Sequence, residues 1–110
     1  MKTKSNPTLG PGPKIHPGVM LKKYVLDERD LTQSKFALAT GLPVSRISEI
    51  IHGKRGITMD AAIRFARVLD MSEGFWLNLQ SAYERACALE ERGKEYARLK
   101  PLPKLSSQAA

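Results

Sequence analysis

Gly41 and Pro43 stand two residues apart, between two short stretches that both carry helical periodicity. A glycine closes a helix by turning left-handed. A proline, with its fixed φ and missing N–H, can open a helix but disrupts the interior of one. Only Leu42 lies between them, so the chain must turn sharply from one helix into the next. The first helix is expected from Gln33 to about Thr40, with Thr32 as its N-cap and Phe36, Ala37 and Thr40 on one face. The second is expected to start near Pro43 and end at Gly53.

Residues 33–52 form a twenty-residue unit with four coincident steric requirements. Ala37, at the fifth place, lets two helices approach closely. Gly41, at the ninth, sits at the turn. Ile47 and Ile50, at the fifteenth and eighteenth, are spaced to pack back onto the preceding helix. This is the pattern of a helix-turn-helix, in which the second helix enters a DNA groove. A helical hairpin in an ordinary small bundle is the competing reading.

At about 100° per residue, Ile50 and Ile51 fall on either side of Ile47. Ser45, Glu49 and His52 point nearly opposite, and Arg46 and Ser48 lie on the flanks. Such a face suits base edges. Arginine reaches guanine O6 and N7 together, serine donates or accepts, and glutamate accepts from cytosine N4. Val44, in the first turn, can lie against a thymine methyl. Expected base contacts are therefore Val44, Ser45, Arg46, Ser48 and Glu49. Expected backbone contacts are Gln33, Lys35, His52, Lys54 and Arg55, which position the protein without reading sequence. For each the bland alternative is a solvated surface side chain.

The charge distribution agrees with a polyanionic partner. The net charge is +7, and residues 1–55 hold ten Lys/Arg against four Asp/Glu, while residues 56–110 hold eight against seven. A basic surface favours nucleic acid. The only cysteine, Cys87, has no internal disulfide partner, and two distant histidines cannot complete a zinc site with it. Neither a metal nor a cofactor is expected. There is no secretory h-region and no span long enough for a bilayer, so a cytoplasmic location is expected. No nucleophile–base pair or paired carboxylates stand out, so an enzyme is not expected.

The remaining elements are helical as well. Residues 1–15 should form a flexible arm. Pro17 opens a first helix carrying Met20, Leu21, Tyr24 and Val25. Thr58 caps a fourth helix, about Met59 to Leu69, with Ala62, Phe65, Ala66 and Leu69 on one face. Ser72 caps a long fifth helix to about Arg92, and residues 93–110 should form a flexible tail. Phe75, Leu79, Ala82, Ala86 and Leu89 make an apolar stripe on that helix. Trp76, Leu79, Tyr83 and Cys87 make an adjacent one. The expected fold is all-α with five helices in one domain, residues 16–92.

The motifs His16-Pro17-Gly18, Gly53 to Thr58, the alanine-rich Ala61 to Leu69, and Phe75 to Gln80 (FWLNLQ) resemble those of the HigA/VapI-type antitoxins, or addiction-module antidote proteins. These are a branch of the Xre/Cro-type, lambda-repressor-like helix-turn-helix group. The resemblance covers about residues 16–84. It implies a homodimer on double-stranded operator DNA that represses its own operon and neutralises a cognate HigB/RelE-like toxin, a ribosome-dependent mRNA endonuclease. Phe75, Leu79, Ala82, Ala86 and Leu89 are then the expected dimer face of the fifth helix. The alternative is a stand-alone Xre-family repressor without a toxin. Pro43 departs from the serine or threonine usual near the start of the family's reading helix, so no contact carries over at that place.

Overall fold

A computed structural model describes residues 14–103, and all its regular elements are helices. Helix α1, Pro17–Met20, continues without a break into a π-helical turn, Leu21–Leu26. It is followed by α2 (Gln33–Thr40), α3 (Val44–Ile51), α4 (Met59–Leu69) and α5 (Glu73–Ala97). The expected arm falls largely outside the described residues, as does the end of the expected tail.

The caps follow from residue chemistry. The hydroxyls of Thr32, Thr58 and Ser72 accept from the N–H groups of Lys35, Ala61 and Phe75, satisfying donors that helix starts leave free. Gly41 has φ of 76° and ψ of 18°. Leu42 N–H reaches Ala37 O and Gly41 N–H reaches Leu38 O, which is the Schellman pattern, and Leu42 is buried beneath it. Gly53, with φ of 75°, repeats this closure on α3 through Lys54 N–H to Glu49 O and Gly53 N–H to Ile50 O. Pro43 stands at the N-cap of α3 with extended backbone, so the proline precedes the helix.

Three features differ from the sequence expectation. Tyr24 is exposed and Leu26 is buried in its place. The cause is the wide π turn, with Asp27 N–H bonding Lys22 O, which carries the chain inward at Leu21, Val25 and Leu26 together. Asp30 and Asp70, with φ of 55° and 57°, take left-handed positions, Asp30 at the end of the turn that follows the π-helical segment and Asp70 as the C-cap of α4, where no glycine marks the stop. In α5 regular geometry does break at Arg92 (φ −127°, ψ 20°), but the chain resumes helix beyond it and ends at Ala97. The first residues of the expected tail are therefore helical.

The core gathers Leu21, Leu26, Phe36, Ile47, Ile50, Phe65, Leu69 and Trp76 from all five helices. Phe36 and Phe65 rings lie 5.0 Å apart, Phe65 and Trp76 5.4 Å, and Phe75 and Trp76 5.1 Å. This aromatic chain ties α2 through α4 to α5, in the tilted and edge-on geometries that aromatic quadrupoles prefer.

Candidate nucleic-acid interface

Helix α3 is held from behind and open in front. Ile47 and Ile50 are fully buried, and Ile51 partly so. Val44 and Ser45 are exposed, while Arg46, Ser48 and Glu49 are half-buried on the outer side. The five expected base-reading residues therefore share the solvent side of one short helix. The seat behind α3 is unusually close. A Cβ on Gly18 of α1 would stand 1.9 Å from Ile50 O and 2.9 Å from Ile51 Cα. Only glycine lets the two backbones meet at that distance.

The expected phosphate-contacting residues divide between two sites. Gln33 and Lys35 stand in the first turn of α2, where Thr32 already satisfies the Lys35 N–H. His52, Lys54 and Arg55 are exposed beyond the end of α3. Arg55 Nε donates to Glu49 Oε1 at 2.8 Å, so one backbone candidate is tied to one base candidate. His52 Nδ1 lies 2.8 Å from Ser48 O and 3.3 Å from Ser48 Oγ, capping the last turn of α3 with its own ring.

Four side chains for which the sequence assigned no contact brace this surface and the helices behind it. Gln80 of α5 accepts at Oε1 from Ile57 N–H, 2.7 Å away, and fixes the end of the loop after α3. His16 accepts at Nδ1 from Gly18 N–H at 2.9 Å, capping α1, and its ring meets Tyr83 of α5 edge-on at 4.9 Å. Burial lowers the His16 pKa below the usual 6.5, opposed by a bond to the Arg55 backbone. Arg64 of α4 clamps Asp60 through Nε and donates to Thr40 O at 2.9 Å, closing the end of α2. Arg29 does the same for α4, donating to Leu69 O at 3.1 Å. Gln80 had a signal in the sequence, as a lone amide among the apolar positions Trp76, Leu79 and Tyr83. The two arginines had none, because the carbonyls they meet lie 24 and 40 residues away.

The stripe expected to pair two copies needs one correction. Ala86 is buried to within 1% by its own chain, so it is not available to a second copy. Its burial comes from tertiary packing, which helical periodicity alone does not reveal. Phe75 and Leu79 are partly buried against the chain's own core, Leu89 is half-buried, and Ala82 is exposed.

Among the described residues no group of three or more His, Cys, Asp or Glu is placed to hold a metal ion, and no helix is long and apolar enough to cross a membrane.

A helix-turn-helix family model matches residues 21–76, the span from the π-helical turn to the buried tryptophan of α5. Antitoxin HigA-1 of Vibrio cholerae is 31% identical over 101 residues, covering 92% of this chain and 89% of that protein. The chain belongs to the helix-turn-helix family, in the branch of the HigA antitoxins. Virulence-associated protein I of Dichelobacter nodosus, 38% identical, is covered over 74% of its length and covers 73% of this chain. Among solved structures, the Pseudomonas aeruginosa antitoxin HigA with the higBA promoter superposes with a TM-score of 0.77 at 37% identity, covering 82% of this chain and 99% of that one. The antitoxin GraA in complex with its operator gives 0.79 at 28% identity, over 93% and 100%. This branch of the family thus includes members described on their own promoter or operator DNA.

Proposed function

We propose that the chain is the antitoxin of a type II toxin–antitoxin pair, that it binds its own operator and represses its operon, and that it neutralises a HigB/RelE-like mRNA endonuclease. The observation that supports this most directly is the open outer side of α3. Val44, Ser45, Arg46, Ser48 and Glu49 stand there together, over a backbone seat at Gly18, in a chain similar to HigA on the higBA promoter. Arg46 reads guanine and the serines and Glu49 read neighbouring bases, while Gln33, Lys35, His52, Lys54 and Arg55 meet phosphates.

Two copies pair through α5, with Phe75, Leu79, Ala82 and Leu89 at or beside the contact. A two-fold pair sets two reading helices on half-sites about one helical turn apart, roughly 34–36 Å. Sedimentation equilibrium checks this step, and a strict monomer at micromolar concentration overturns it.

The experiment for the whole reading pairs the chain with the product of the adjoining reading frame. Expressed alone, that product should arrest growth, and this chain should restore it and co-purify with it. The duplex upstream of the chain's own gene should be bound in preference to a random duplex. Binding without any effect on a neighbouring product leaves a stand-alone repressor, the role suggested by relatives described as transcriptional regulators of Escherichia coli at 34% identity.

A further inference from the structure

The loop from Gly53 to Thr58 carries Lys54 and Arg55, yet its far end is held by a residue of α5. Gln80 Oε1 accepts from Ile57 N–H at 2.7 Å, and Gln80 Nε2 donates to Glu84 Oε2 at 2.9 Å, one turn along the same helix. The second bond orients the amide so that its oxygen faces the loop. Ile57 is buried, so its N–H needs such an acceptor. One turn before Gln80, Trp76 is fully buried in the core and fixes the helix that carries the amide.

Gly56 explains how Gln80 gets in. A Cβ there would stand 2.8 to 2.9 Å from the three terminal atoms of the Gln80 amide. Gly56 is not one of the positive-φ glycines, so its backbone does not call for glycine. A side chain at this place could be accommodated only by moving the Gln80 amide away from the loop.

We propose that Gln80 is a positioning residue for DNA binding, latching the phosphate-facing loop to α5 so that Lys54 and Arg55 meet the backbone in register with the reading helix. This rests on the DNA-binding reading above.

The test uses the full chain, the duplex upstream of its own gene, and a random duplex of equal length. Gln80→Ala should weaken operator binding several-fold. It should lower the salt dependence by about 1 in slope for each phosphate contact released. Hydrogen exchange at the Ile57 amide should speed up. Gly56→Ala pushes the same amide aside and should give the same losses, and the double variant should be no worse than either, as expected for two changes acting on one contact. A role in stability alone would move the melting midpoint and leave the salt slope where it was. Unchanged slope and affinity in Gln80→Ala, or losses that add in the double variant, overturn the latch. Wild-type protein that binds neither duplex overturns the DNA-binding reading instead, and no variant is needed to see it.

Discussion

Arg55 Nε and Glu49 Oε1 lie 2.8 Å apart, joining the loop after α3 to the outward side of α3 itself. Both side chains are close to half exposed, so the pair contributes little to stability, about 0 to 1 kcal/mol. Its effect on binding is larger, because Glu49 offsets the charge that Arg55 brings to phosphate. Glu49→Ala removes that negative charge from the outer side of α3. Affinity for random DNA should rise, the salt slope should steepen, and the ratio of operator to random binding should fall. Titrating both duplexes at several salt concentrations checks all three.

Arg46 is half-buried on the same side and makes no ion pair among the described residues. Its fork is therefore available for a base. Arg46→Ala should cost about 1–3 kcal/mol of operator binding and relax the preference at one base pair per half-site. A panel of single-substitution operators measures this, and equal loss across all sequences would assign Arg46 to phosphate.

Gly18 admits no side chain, because what it meets is backbone: Ile50 O at 1.9 Å and Ile51 Cα at 2.9 Å from the position of a Cβ. No rotamer change relieves that clash. Gly18→Ala should destabilise the fold by about 1–3 kcal/mol or more, the range for an overpacked site. Urea unfolding followed by circular dichroism gives the number, and a midpoint like that of the unaltered protein would mean that α1 can slide along α3.

His16 makes stability depend on pH in a defined direction. Burial favours the neutral ring, so its folded pKa lies below 6.5, and the unfolded chain takes up the proton first as pH falls. The stabilisation is complete above 6.5 and is lost as pH drops through the folded value. Protonation also converts Nδ1 from the acceptor of the Gly18 N–H into a donor, so the α1 cap goes with it. His16→Asn retains a capping oxygen and no titrating ring. Comparing unfolding free energies at pH about 7 and about 5.5, the unaltered protein should lose more stability than the variant, and equal losses would assign the titration elsewhere.

The helix-turn-helix was legible in the sequence because its requirements are local. Gly41, Pro43, Thr32 and the isoleucine spacing each act within a few residues, and the structure has them in those roles. The same holds for Phe65, Ala66 and Leu69 on α4. What was not legible depends on groups distant in the chain. Gln80 and Ile57 are 23 residues apart, and Arg29 and Leu69 are 40. Periodicity places Ala86 on the apolar stripe of α5 but reports on one helix only, and not on what packs against it. The aspartates at positive φ escaped notice because the pattern for a helix stop is written around glycine, although Asp tolerates that region better than most residues.

The seat at Gly18 touches α3 through its carbonyl and Cα atoms, and not through the side chains that face outward. Selection can therefore rewrite Ser45, Arg46, Ser48 and Glu49 without disturbing what holds their helix. A scaffold of this kind separates the problem of folding from the problem of what its outer face presents. Duplicated copies can diverge in that face by a few surface substitutions, each copy starting from an intact frame.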